Sequence, residues 1–134
     1  MAEEVKFNDV RNAHISEHSE NPMHKKVDFS EWQKLDLRVA KILKVDNHPN
    51  ADKLYVIEVD LGKLGKRKLV AGLKDHYAPK ELKNKLCIVF LNLEPAVLRG
   101  VKSEGMILAA VSEDHKVVKI LQPAKDIELG SKIS

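Results

Sequence analysis

Cysteine is almost missing from this chain. Cys87 stands alone among 134 residues, so the chain cannot close a disulfide on itself, and paired-cysteine motifs are excluded. Its apolar neighbours mark it as a small core side chain rather than a nucleophile. Long apolar runs are missing too. None approaches the roughly 18 residues that a membrane helix requires. The opening residues Met1-Ala2-Glu3-Glu4-Val5 lack the basic start and apolar stretch of a signal peptide. Together these absences predict a cytoplasmic protein without a membrane partner. There is no phosphate-binding loop, no HExxH and no GxSxG. Acidic residues are scattered without an evident catalytic pair, so the sequence nominates no enzyme site and no cofactor. Internal repeats and low-complexity tracts are also lacking.

What is present suits one compact domain. Apolar residues make up 43% and charged residues 32% of the chain. The formal net charge of +3 conceals an uneven spread. Residues 1–31 carry four basic and seven acidic groups. Residues 32–60 balance at five each. Residues 61–103 carry ten basic and only three acidic groups, and residues 104–134 are slightly acidic. A local basic block is either the footprint of a polyanion or a lysine-rich solvated surface.

Residues 1–27 read as a polar arm with no clear period. His14 and His18 would share a face if the arm were helical. With no cysteine nearby and no third ligand at a convincing spacing, a metal site is not expected. The compact domain is expected over residues 28–134. Ser30 before Glu31-Trp32-Gln33-Lys34 predicts a short capped helical turn. Leu37 to Val45 predicts a long first strand. Leu37 and Val39 are in phase but Ile42 is not, which a bulge would explain. Leu54 to Asp60 alternates, with Tyr55, Ile57 and Val59 on one face. Arg67 to Ala71 predicts a third strand, and Ala78-Pro79-Lys80-Glu81-Leu82 a short helix with proline near its start. Leu86 to Leu91 is apolar on both faces and predicts a buried central strand. Met106 to Val111 and Val117 to Leu121 complete an all-β barrel with short helices.

The segment from Asn92 to Met106 predicts a long polar, basic connection, and such connections are usually functional or mobile. Asn92 offers a donor and an acceptor for a base edge. Ser103 offers a hydroxyl to a phosphate or a 2′-OH. Gly100 and Gly105 admit close backbone approach. Arg99 and Lys102 supply phosphate-seeking charge. Met106 is either a soft surface for a base or a core residue. A plain structural loop is the other reading of the whole segment.

Four blocks carry a resemblance. They are Asp36-Leu37-Arg38-Val39, His48-Pro49-Asn50-Ala51-Asp52-Lys53-Leu54-Tyr55, Val70-Ala71-Gly72-Leu73, and Asn92-Leu93 continuing through Leu98-Arg99-Gly100-Val101-Lys102-Ser103-Glu104-Gly105-Met106-Ile107-Leu108. In this order they resemble the tRNA-binding domain found at the C-terminus of many methionyl-tRNA synthetases and as a free-standing protein, the synthetase beta subunit of archaea. The resemblance covers residues 28–134. It implies an oligonucleotide-binding (OB) barrel, a homodimer, and recognition of tRNA shape rather than sequence beside a methionyl-tRNA synthetase. It implies no catalysis by the chain itself. Carried over residue by residue, it implies RNA contacts at Lys53, Asn92, Arg99, Lys102, Ser103, Glu104 and Met106. Two relatives share the barrel. Cytokine-like eukaryotic members carry a further C-terminal domain, for which the chain ending at Ser134 is too short. A bacterial secretion chaperone matches the Ser-Glu-Gly-Met block less well. The competing expectation is a protein-interaction or chaperone-like dimer with no RNA as main ligand.

Overall fold

The structure, a computed structural model, describes residues 25–134. The expected arm and the paired His14 and His18 fall largely or wholly outside the described residues. The chain divides into two compact units between Leu35 and Asp36. In the first, helix α1 spans Phe29–Gln33. It begins one residue before the expected cap at Ser30. Asp28 takes the N-cap position, and no side chain caps the helix. The Asp28 carbonyl accepts from the N–H groups of Glu31 and Trp32 at 3.0 and 3.3 Å.

The second unit is a barrel of antiparallel strands. Strand β1 (Leu37–Asn47) is the longest, at 11 residues. Its first half pairs with β4 (Leu86–Phe90) and its second half with β2 (Tyr55–Asp60). The register slips between Ile42 and Lys44. This bulge lets one strand turn a barrel corner, but it lies after Ile42 and is not the source of the phase change. Strand β1 pairs with β4 without a slip from Leu37 to Lys41, and Ala40 and Ile42 join the barrel core while Leu37 and Val39 are buried on the opposite face. Strand β3 (Lys66–Ala71) pairs with β2, and the two-residue β7 (Met106–Ile107) pairs with β4. The sheet order is β3-β2-β1-β4-β7. Helix α2 (Pro79–Leu82) sits between β3 and β4 in sequence and sends Leu82, fully buried, into the core.

The alternation read in β2 is what fills the barrel. Tyr55, Ile57 and Val59 are buried there with Ile42, Leu69, Leu82, Cys87 and Val89. Each such side chain contributes roughly 1.5–3 kcal/mol by leaving water. One expected element differs in form. The stretch from Met106 to Val111 is not one strand: it breaks at Leu108 into β7 and β8 (Ala109–Val111). Strand β8 leaves the barrel sheet to pair with β9 (Val118–Ile120). The C-terminal residues return to β1, where the Val39 N–H donates to the Ser131 carbonyl at 2.9 Å and the Ile133 N–H to the Leu37 carbonyl at 2.9 Å.

A sheet in that order leaves two edges, β3 and β7, and the segment between residues 103 and 107 joins them. The Glu104 N–H donates to the Lys68 carbonyl at 2.9 Å. The Lys68 N–H donates to Glu104 Oε1 at 3.1 Å and the Val70 N–H to Ser103 Oγ at 2.9 Å. Two side-chain oxygens thus stand where a neighbouring strand would place carbonyls. The next residues, Met106 and Ile107, lie opposite Phe90 and Val89 on the far edge. Gly105 makes this crossing possible. Its φ is 146°, and a Cβ there would lie 2.9 Å from the Phe90 carbonyl oxygen. Among the described residues no helix is long and apolar enough to cross a membrane.

Candidate nucleic-acid interface

The connection after β4 is not an unstructured loop. It folds into a hairpin of β5 (Ala96–Leu98) and β6 (Val101–Ser103). Arg99 and Gly100 turn it, with φ of 53° and 92°. Positive φ at both central residues matches the right-handed twist of a tight hairpin. Asn-Gly would have announced such a turn; Arg-Gly in three-residue strands did not.

The hairpin tip meets the loop between β1 and β2. His48 Nε2 lies 2.9 Å from the Leu98 carbonyl oxygen. The Asn50 N–H donates to His48 Nδ1 at 2.9 Å, and Asn50 Nδ2 donates to the Arg99 carbonyl at 3.2 Å. Sequence reasoning passed over His48 and Asn50 as ordinary loop residues within the resemblance. Lys53 follows on the same loop. It is exposed and lies 3.7 Å from Asp75, an exposed pair of small energetic worth. Arg99 and Lys102 are both exposed on the hairpin. These hydrogen bonds therefore bring the loop carrying Lys53 to the hairpin carrying Arg99 and Lys102.

The other expected contact residues have structural partners. Ser103 does not reach the surface as expected. It is 1% exposed, its Oγ accepts from Val70 and donates to the Gly105 carbonyl at 2.9 Å, and both its hydrogen-bonding roles are consumed in closing the barrel. Glu104 is half-buried and turned to β3. Asn92 is exposed, and its Oδ1 accepts from the Asp36 N–H at 2.8 Å, tying the end of β4 to the start of β1. Met106 is half-buried on β7.

The basic block disperses on folding. Arg67 turns to the barrel end, where Nη1 donates to the Leu91 and Glu104 carbonyls at 2.9 and 3.2 Å. On the outer sheet face Lys66 lies opposite Asp60, which lies opposite Lys41. Lys68 likewise lies opposite Glu58, which lies opposite Lys44. Opposite charges at such cross-strand positions offset one another. Lys80, Lys83 and Lys85 are exposed on α2 and its exit. The hairpin carries its own positive pair, Arg99 and Lys102, with no acidic residue between positions 95 and 103.

A five-stranded barrel closed through such a seam, with a loop after its first strand docked on a basic hairpin, is the layout in which OB folds present loops to nucleic acid. The model of the family described as "Putative tRNA binding domain" matches residues 37–132. The chain belongs to this family. A methionine–tRNA ligase of Pyrococcus horikoshii is 56% identical over 107 residues, which are 80% of this chain and 14% of the ligase. The ligase of Methanosarcina mazei is 46% identical over 107 residues, 15% of its length. The chain thus spans about one seventh of these ligases, and the shared segment is the tRNA-binding family's domain, not their catalytic domain. Among solved structures, a MetRS-related protein of Pyrococcus horikoshii superposes with a TM-score of 0.76 at 29% identity, covering 82% of this chain and 99% of that one. The chaperone CsaA of Bacillus anthracis superposes with a TM-score of 0.74 at 29% identity, covering 82% and 100%. The family match spans the whole barrel, from the first residue of β1 to the residues that return to it.

Proposed function

We propose that this chain is a non-catalytic tRNA-binding module that recognises tRNA by shape and serves a methionyl-tRNA synthetase in the cytoplasm. The observation that carries the reading is the family match across the entire barrel, joined to a loop and hairpin that present Lys53, Arg99 and Lys102 to solvent. These three are the proposed phosphate contacts. Phosphate contacts fix orientation without reading sequence, which suits shape recognition. Asn92 and Met106 are proposed to border the surface, whereas Ser103 and Glu104 hold its frame. Tethering tRNA beside a synthetase raises its local concentration without adding chemistry.

The proposed assembly is a homodimer. Val111, Val117 and Leu121, on and beside the β8–β9 hairpin, are 41–50% exposed, apolar surface that a second copy would cover. Sedimentation should give twice the chain mass at micromolar concentration; a monomer there would remove the dimer from the proposal.

The deciding experiment titrates total tRNA, and duplex DNA of similar charge, at two salt concentrations. Neutralising roughly four to six phosphates gives a log–log salt slope of about −3 to −5, and tRNA should bind more tightly than the duplex. The likeness to the chaperone CsaA favours a second reading, a peptide-binding dimer. Salt-independent or absent tRNA binding, together with suppression of aggregation of an unfolded client, would select that reading.

A further inference from the structure

His48 and Ser103 are the two buried polar residues among the described residues. Ser103 closes the barrel. His48 has no such part in the sheet: it lies just past the end of β1 and is only 5% exposed. Its ring nitrogens have distinct duties. A backbone N–H can only donate, so the nitrogen that receives Asn50, Nδ1, carries no proton. The proton of the neutral ring therefore sits on Nε2 and is donated to the Leu98 carbonyl. One face of the imidazole shapes its own loop, and the other crosses to the hairpin.

The loop is pinned at its base as well, where the His48 N–H donates to the Leu54 carbonyl at 3.1 Å. Pro49 restricts the backbone between His48 and Asn50. Held by Nδ1, Asn50 turns its amide to the Arg99 carbonyl. The two hydrogen bonds across the gap end on Leu98 and Arg99, one at the last residue of β5 and the other in the turn itself.

We infer that His48 is a positioning residue for the RNA-facing surface: it locks the β1–β2 loop to the β5–β6 tip, so that Lys53 and Arg99 meet a ligand as one rigid surface. The inference rests on the proposed tRNA binding and adds to it a residue that touches no RNA. Its effect is pre-organisation. Without the lock, ordering both elements falls to the binding step and lowers affinity. One neutral hydrogen bond of this type corresponds to about a three- to tenfold change.

Two conservative replacements separate the two ring nitrogens. In His48→Gln the side-chain NH2 can stand in for Nε2 and still reach Leu98. In His48→Asn the side-chain oxygen can stand in for Nδ1, but no group reaches the hairpin. The wild type and both variants are titrated with tRNA and melted. A three- to tenfold loss in His48→Asn with affinity restored to within about twofold in His48→Gln is expected. A third variant, Asn50→Ala, changes an exposed side chain, breaks the other crossing bond, and should lose affinity without losing melting temperature. Its loss should be less than additive with that of Arg99→Ala, because both act through the same tip. Wild-type binding with His48→Asn and Asn50→Ala undiminished overturns the inference alone. Equal losses in His48→Gln and His48→Asn also overturn it, since a burial role would not distinguish the two nitrogens. Absence of tRNA binding by the wild type overturns the functional reading and the inference with it.

Discussion

Removing one oxygen at position 103 leaves the Val70 N–H without its acceptor, in a place that water does not reach. An orphaned buried donor costs about 1–3 kcal/mol, and for a domain of this size each kcal/mol lowers the melting temperature by roughly 4–8 °C. Ser103→Ala should therefore melt some 5–20 °C early. The tRNA affinity of the remaining folded protein should change by less than about threefold, the low end for one neutral hydrogen bond. The sequence pointed to the opposite order, because a serine beside Lys102 in a basic segment looks like a phosphate ligand. Its burial depends on β3, more than thirty positions earlier, and nothing local records that. Cys87 was legible by contrast, since an apolar run on both sides already implies a core. Burial pushes its thiol up to about 12, above an ordinary value of about 8.5. The folded value lies above the unfolded one, so the protonated thiol favours folding below about pH 8.5. That contribution is lost as pH rises from there toward about 12, at up to about 1.4 kcal/mol per pH unit. The difference in stability between the wild type and Cys87→Ala, measured from pH 8 to 10, should shrink accordingly. A thiol reagent at pH 8 should label Cys87 only on unfolding.

At the scale of elements, the hairpin of β5 and β6 separates charge from scaffold. Its strands lean on the barrel through Ser103, while Arg99 and Lys102 stand in solvent. Arg99→Ala and Lys102→Ala should each weaken tRNA binding and flatten the salt slope by about one unit. Each should move stability by no more than about 0.5 kcal/mol. Isothermal titration at two salt concentrations, paired with a melt, checks both halves. A steep slope retained in the double variant would move the phosphate contacts to another face, with Lys80, Lys83 and Lys85 the next candidates. Element legibility followed the strength of local pattern. Strand β2 was readable from Tyr55, Ile57 and Val59 alone, whereas the phase error at Ile42 reflects burial on both faces of β1 and not the bulge that follows it. The hairpin was not, for two reasons. Three-residue strands are too short to establish a period, and its turn uses Arg99 where a positive φ usually signals asparagine or glycine. The docking of His48 was equally hidden, because a histidine beside a proline in a polar loop reads as solvent-exposed.

At the scale of the whole barrel, a sheet of five strands has its two edges joined by residues 103–107, and three of the bonds in that join run between the β3 backbone and residues 103–104. Elsewhere around the barrel, strands meet through backbone ladders that can be parted only by unzipping neighbours in sequence. Of the three bonds that the β3 backbone makes across this seam, two end on side-chain oxygens, and a side chain can rotate away without disturbing any strand. The barrel consequently has a latch. Amide hydrogens that point to it can trade with solvent during brief local openings, whereas those that point to β2 must wait for larger ones. The Lys68 and Val70 amides face the latch; Leu69, between them, lies opposite Ile57 on β2. Deuterium should therefore enter β3 in an alternating pattern, with Lys68 and Val70 at least about tenfold faster than Leu69 and insensitive to low denaturant. Uniform protection along β3 would mean that the side-chain seam holds as firmly as a ladder. If the pattern is found, a ligand resting on the β5–β6 hairpin sits on the moving side of the latch, and its binding should slow exchange at Lys68 and Val70 without touching either residue.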